Sequence, residues 1–319
     1  MFTAKLVVGD TALFDGFRID ADPITDPRWD RVLPVFEEAQ TFMCRQMGAL
    51  LEGLPKNSLM LDVGTGSGVF AIWAAKRGHR VVAVDINPRA LRMARQNALN
   101  NGVTVYESVE EMREGGICLL LREFNKSFST DEAFVRRFNC LFLNPPYNPT
   151  CPGVRPALHA ESGEDGQRCF REQIAIVPDV LTDQGWCVGI QMTVKNKNGL
   201  DGLQQIQESF GRNCKIQYTH ILDQEYFPTK EFLRSQYGSY LRQGRSSEPN
   251  STDVLNYIER VSRQNPQLAF IYYEVQKVLT DQSEATPKKL QRVFAPNRGW
   301  EDRIRLHQQI VDHTTQRSN

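Results

Sequence analysis

From Ser58 onward, short apolar runs alternate with amphipathic stretches. "SLMLDVG" predicts a buried strand, "VFAIWAAKRG" a helix closed by Gly78, "RVVAVDI" a second strand and "PRALRMARQNALNNG" a second helix. This β-α-β-α order marks an α/β fold, a mostly parallel sheet with helices on both faces. Further strands are predicted at Cys140–Asn144, Trp186–Met192, Lys215–Leu222 and Leu268–Val275, with helices between them at about Cys169–Leu181 and Leu200–Phe210. Ahead of this unit, Lys5–Asp20 reads as two short strands around Gly-Asp and Asp-Gly turns. "VLPVFEEAQTFMCRQMGALLEG" then repeats apolar residues at three- and four-residue steps, predicting one amphipathic helix ended by Gly53.

Two stretches interrupt the alternation. Val109–Arg137 mixes Glu-Gly-Gly with charges and reads as a helix and loop on the rim. Asp223–Pro266 separates the last two strands and is too long for a connector, so it predicts a cover over a site. Gln276–Asn319 is Gln- and Arg-rich with few large apolar residues. The expected organisation is a hairpin and helix over 1–57 packed on a main domain over 58–275, with 223–266 as its inserted cover. A C-terminal helix or tail follows over 276–319.

Charge and composition narrow the function. Lys plus Arg equals Asp plus Glu at 38 each, which argues against duplex nucleic acid as the main partner. The seven cysteines, Cys44, Cys118, Cys140, Cys151, Cys169, Cys187 and Cys214, form no Cys-x-x-Cys pair and predict reduced thiols. The five histidines include no His-x-x-x-His pair, so no metal is expected. The opening residues hold no apolar run long enough for a signal peptide or membrane span, which predicts a cytoplasmic protein.

Candidate chemistry begins after the first strand. "LDVGTGSG" carries Asp62, Gly64, Gly66 and Gly68 between a strand and a helix, where glycine lets a ligand approach the backbone. Asp85 ends the next strand, where an acid suits ribose hydroxyls. A dinucleotide site favours Gly-x-Gly-x-x-Gly, so that pyrophosphate meets the helix N-terminus. Here the spacing is Gly-x-Gly-x-Gly behind an acid that repels phosphate and attracts an ammonium group. S-adenosylmethionine has that ammonium, a ribose and no phosphate. A nicotinamide dinucleotide, or a turn that needs glycine only for packing, are the alternatives.

"LDVGTGSG", "AVDINPRAL" and "LFLNPPY" together resemble the cofactor loop, ribose acid and catalytic loop of class I S-adenosylmethionine-dependent methyltransferases. Asn-Pro-Pro-Tyr resembles the subgroup that methylates nitrogens conjugated to a π system. The following "RPALHAESGEDGQRCFREQIAIVPDVL" is similar to the HemK-like protein-glutamine methyltransferases, and the resemblance covers approximately Val32 to Met192. It implies catalytic roles for Asn144, Pro145 and Tyr147, with Pro146, Tyr147 and Asn148 against the acceptor. The resemblance likewise implies cofactor contacts from Asp62, Gly64, Gly66, Gly68, Asp85 and Asn144, and Glu107 as a candidate for the adenine amine. It departs at "LPVFEEA", where Val35 stands in place of an arginine, and in the Asp223–Pro266 insertion. The 57 residues before Ser58 are also too few for the helical domain such enzymes commonly carry there.

The acceptor implied first is a glutamine-like amide of a protein or peptide. A small metabolite is the alternative favoured by the inserted cover. Adenine in RNA or DNA is another, with Lys195, Lys197, Arg234, Arg242 and Arg245 as basic residues that could track phosphates. An inactive cofactor-binding subunit is the reading from a different class, and intact Asn144, Pro145 and Tyr147 speak against it.

Overall fold

The computed structural model describes residues 5–6, 11–14, 16–23, 26–34, 42–238, 241, 250–279 and 287–290. The first strands, β1 (Lys5–Leu6), β2 (Thr11–Phe14) and β3 (Phe17–Asp20), make a three-stranded antiparallel sheet, where two strands were expected. Two turn signals join three strands, and the first of these is only two residues long. Residues 35–41 of the expected amphipathic helix lie outside the described residues. The rest forms α1 (Phe42–Gln46) and α2 (Gly48–Gly53), with Met47 between them. Met47 still donates its amide to Met43 O at 3.0 Å and accepts from Leu51 N at 3.0 Å, so the break is a local one beside Gly48.

The main domain runs β4 (Leu59–Val63), α3 (Val69–Ala75), β5 (Arg80–Asp85), α4 (Pro88–Asn100), β6 (Val105–Tyr106), β7 (Ile117–Leu121), α5 (Lys126–Ser129) and β8 (Phe138–Leu143). It continues through α6 (Arg168–Ile174), α7 (Val177–Val180), β9 (Leu181–Asn196), β10 (Gly199–Leu200), α8 (Asp201–Phe210) and β11 (Cys214–His220). Within the insertion lie β12 (Phe227–Pro228), α9 (Thr229–Gln236) and α10 (Ser251–Gln264), before β13 (Gln267–Lys277) and β14 (Lys288–Lys289). The central path is β14-β11-β13-β9-β8-β4-β5-β7-β6, with β10 on β9 and β12 on β13. Along that path β13 alone runs against its neighbours. The fold is therefore the Rossmann-like α/β sheet the pattern predicts.

Three expectations are corrected. Val109–Arg137 is not merely helix and loop, because "ICLLL" forms β7 and inserts beside β5. The expected helix Cys169–Leu181 divides into α6 and α7 because Pro178, without an amide hydrogen, sits in the first turn of a new helix. Lys288–Lys289 of the expected tail pairs in parallel with β11, and 280–286 and 291–319 lie outside the described residues.

Alternation along the strands builds two cores. Met60, Val81, Ala83, Cys140 and Phe142 face α1–α3, whereas Leu61, Val82, Val84, Leu141 and Leu143 face α6–α8. Both faces are buried, as a parallel sheet requires. The first strand, β4, lies in the middle, with β5 to one side and β8 to the other. That reversal of strand order opens a crevice at the carboxyl ends of β4 and β8.

Candidate active site

The cofactor loop is shaped by backbone contacts to β5. Gly64 and Thr65 donate their amides to Val84 O at 2.9 and 3.0 Å. Gly66 N then donates to Asp85 Oδ2 at 2.9 Å, and Asn87 N donates to Asp85 Oδ1 at 2.8 Å. Each oxygen of this carboxylate is thus aimed from one side by an amide. Burial raises the Asp85 pKa, and those amides work against the shift. Gly68 (φ 84°) precedes α3 where a Cβ would stand 3.0 Å from Ala94 Cβ and 3.2 Å from Ala94 Cα. Glycine there lets α4 close onto the loop.

Asp62 is 1% exposed, and its Oδ2 accepts from Thr65 Oγ1 at 2.6 Å and Ala71 N at 3.2 Å. Burial pushes its pKa up to about 7 despite those two bonds. The acid therefore acts first on the loop itself, bracing the turn from below.

Against the loop and α4 lie β3 and the described residues 21–23 and 26–34. Asn97, fully buried on α4, donates to Ser67 O and Asp20 O, both at 2.8 Å, and accepts from Asp20 N at 2.9 Å. One side chain thereby fastens the N-terminal sheet to the cofactor loop. Asn87 caps α4 by accepting from Arg89 N at 2.9 Å and donates to Asp30 O at 2.8 Å. Buried Asp22 accepts from Val32 N at 2.7 Å, Arg89 Nε at 2.9 Å and Arg28 Nη2 at 3.0 Å. Burial opposes its ionisation, but the bonds from Arg89 and the Val32 amide outweigh that and lower its pKa. At its far end the segment meets the chain beyond the Asn-Pro-Pro-Tyr loop, where Leu158 donates to Trp29 O at 2.7 Å.

Asn144 emerges beside the cofactor loop because Leu143, the last residue of β8, pairs with Val63, the last of β4. Its Oδ1 is buried with no hydrogen-bond partner. Leaving such an acceptor unmade costs about 1–3 kcal/mol, and the atom stays available to a bound donor. Pro145 is buried, and Pro146, Tyr147 and Asn148 are half-buried. Tyr147 packs its ring 5.3 Å from Phe270 at an interplanar angle of 56°.

The turn Glu161–Gly166 backs this loop. Asn148 bridges to Glu161, and Thr150 N donates to Gly163 O at 2.8 Å. Gly166 (φ 71°) comes so close that a Cβ would lie 2.5 Å from Tyr147 O and 2.9 Å from Pro149 N. Next to it, buried Gln167 donates to Met192 O at 2.8 Å and accepts from Gln191 Nε2 at 2.9 Å, fixing the turn to β9.

The structure gathers Asp62, Gly64, Gly66, Gly68, Asp85 and the Asn144–Asn148 loop at the crevice, but not Glu107. That residue follows β6, which β7 separates from β5, and it is 78% exposed and ion-paired with Arg95 at 3.1 Å. The ends of β5 and β7 carry instead the exposed apolar residues Ile86 (53%) and Leu121 (62%), one strand apart. Asn97, Asn87 and Gly166 were not singled out from sequence. Asn87 carried a signal, the Asn-Pro that starts a helix; the other two depend on contacts distant along the chain.

A family model described as "Ribosomal protein L11 methyltransferase (PrmA)" matches residues 39–117. A Methanocaldococcus jannaschii protein with the name "Putative protein N5-glutamine methyltransferase" is 28% identical over 137 residues, covering 41% of this chain and 59% of that protein. The release factor glutamine methyltransferase of Deinococcus radiodurans is 34% identical over 136 residues, covering 40% and 42%. The ribosomal protein L11 methyltransferase of Caldicellulosiruptor saccharolyticus is 28% identical over 137 residues, covering 40% and 42%. The chain thus spans less than two thirds of the length of these relatives. A solved S-adenosylmethionine-dependent methyltransferase from Agrobacterium tumefaciens is 14% identical, covering 86% of this chain and 72% of that one, with a TM-score of 0.48. With its strand order, glycine loop and Asn-Pro-Pro-Tyr, the chain carries a class I S-adenosylmethionine-dependent methyltransferase domain resembling the HemK-like enzymes.

Proposed function

We propose that this protein transfers the methyl group of S-adenosylmethionine to a planar amide or amino nitrogen, and that the acceptor is a glutamine-like amide of a protein or peptide. The observation that carries this reading is the buried, unpartnered Oδ1 of Asn144, one residue beyond the strand end that meets the cofactor loop.

The crevice suits the cofactor. A Cβ on Gly64 would meet nothing within 4 Å, and one on Gly66 only Gly64 O at 3.9 Å, so open space lies over the loop. Asp85, held by two amides, takes the ribose hydroxyls, while Gly64 and the Asp62 carboxylate face the amino acid end. Bound there, S-adenosylmethionine supplies an electrophilic methyl group. Asn144 Oδ1 and the Pro145 carbonyl accept the two N–H groups of the acceptor NH2. An amide nitrogen is a poor nucleophile because its lone pair is delocalised. Two fixed acceptors aim that nitrogen and favour the positive charge that grows on it during transfer. Proline holds the second carbonyl rigidly. No side-chain base is needed, since methylation itself makes the nitrogen acidic and its proton leaves to water.

The L11 family match ends at residue 117, before Asn144, so it bears on the cofactor half. Polynucleotide adenine has less support. Lys195 donates to Asn196 O at 2.9 Å, Arg234 lies 3.9 Å from Glu259, and Arg242 and Arg245 are outside the described residues. Among the described residues no helix is long and apolar enough to cross a membrane.

Incubation with tritiated S-adenosylmethionine and fractionated lysate tests the acceptor class. Label in protein is expected, and label confined to RNA or small molecules would overturn the protein or peptide acceptor. Two further outcomes concern the cofactor. Asp85→Ala should weaken S-adenosylmethionine binding by about 1.5–3 kcal/mol in titration calorimetry, the worth of a charged hydrogen bond. Unchanged affinity would remove Asp85 from the site.

The second outcome follows from Asp62, whose pKa stands at about 7 in the fold against the ordinary 3.8. The folded chain holds a proton there between those values, so this group's contribution to stability falls as pH rises through that window. An ammonium ligand favours the ionised form. Cofactor affinity should therefore weaken as pH drops below about 7, with proton release on binding that differs between buffers of different ionisation enthalpy. A flat profile from pH 5.5 to 8 would show that Asp62 does not sense the ligand.

A further inference from the structure

The insertion between β11 and β13 does not behave as a free cover. Its helices α9 and α10 share a small core of Leu233, Tyr237, Val254, Tyr257, Ile258 and Val261, and the buried Cys151, just past the acceptor loop, belongs to it. Tyr237 Oη donates to Pro149 O at 2.8 Å and accepts from Cys151 N at 2.8 Å, closing the backbone on both sides of Thr150. Gln236 Nε2 donates to the same carbonyl at 3.1 Å. From α10, Tyr257 Oη donates to Glu164 O at 2.8 Å, and Arg260 pairs with the Glu164 carboxylate. The insertion therefore grips both the end of the acceptor loop and the turn that backs it.

We propose that Tyr237 is a positioning residue for the acceptor loop: by fixing the backbone at Pro149 and Cys151, it sets the aim of Asn144 Oδ1. The reading of Asn144 as the acceptor's anchor underlies this step. Residues 144–149 include Pro145, Pro146 and Pro149, whose fixed φ leaves the segment few ways to absorb a shift. A displacement at Pro149 is thus passed back to Asn144. Other aromatic residues of the insertion serve the cores. Phe227 and Tyr237 are buried and Phe232 packs on both neighbouring cores, while Tyr240 lies outside the described residues.

The test compares the full chain with Tyr237→Phe and, as a control, Tyr272→Phe. The control also loses a buried hydroxyl, one that donates to Glu274 at 2.6 Å in the sheet. By hydrogen exchange and mass spectrometry, amides of 144–151 should exchange about tenfold faster in Tyr237→Phe and at the wild-type rate in Tyr272→Phe. S-adenosylmethionine affinity should stay within about twofold in both. Tritium transfer to the fraction labelled by wild type should fall about tenfold in kcat for Tyr237→Phe alone, with KM unchanged. Wild-type exchange over 144–151, or a rise spread evenly over β4, β5 and the loop, would overturn the proposal, as would wild-type kcat beside a loosened loop. If wild type labels nothing, the methyl-transfer reading fails, and the exchange arm still decides whether Tyr237 holds the loop.

Discussion

Asn144→Ala should fold, keep S-adenosylmethionine binding and lose methyl transfer. The substitution removes an atom that makes no hydrogen bond within the chain, so little stability is at stake. The loss falls on the step in which the acceptor nitrogen is aimed and its growing charge is balanced. Removing one preorganised partner of that kind costs about 10²–10³ in kcat. Single-turnover transfer with saturating acceptor measures it directly. A variant with raised KM and normal kcat would show that Asn144 only binds the acceptor.

Gly166→Ala should produce a comparable loss from a residue that touches no reactant. The new methyl would stand 2.5 Å from Tyr147 O and 2.9 Å from Pro149 N, both backbone atoms, at a φ of 71° that alanine rarely adopts. Either the turn or the acceptor loop must move. A displacement of about 1 Å at the reacting nitrogen costs on the order of a hundredfold in rate. Cofactor titration should remain normal, because the Gly64–Gly68 loop lies on other strands. Wild-type turnover in this variant would mean that the backing turn does not govern the loop.

The parts of the fold that could be read in advance are those in which local pattern and burial agree. β4, α3, β5 and α4 follow from apolar runs, glycines and an Asn-Pro cap within some forty residues. β7 could not be read the same way. A run of five apolar residues has no periodicity of its own, and its place beside β5 is decided by pairing with Val81–Asp85. Without β7, Glu107 would stand one strand nearer Asp85. The split of α6 from α7 is legible in Pro178, which has no amide hydrogen to continue a helix. In the candidate site, the loops proposed to touch ligand are local motifs legible in the sequence, whereas their supports are not. Asn97 meets Asp20 across 77 residues, and Tyr237 meets Pro149 across 88. Nothing local to the insertion marks Tyr237 as the residue that reaches back to the acceptor loop.

The central claim is that the methyl group goes to a planar nitrogen aimed by Asn144. Its most direct test is to react the full chain with methyl-deuterated S-adenosylmethionine and the protein fraction it labels, then locate the methyl group by fragmentation mass spectrometry. A single deuterated methyl is expected on a glutamine side-chain nitrogen, absent when Asn144→Ala replaces the wild type. A methyl group on a carboxylate, hydroxyl or carbon, or equal labelling by the Asn144→Ala variant, would contradict it.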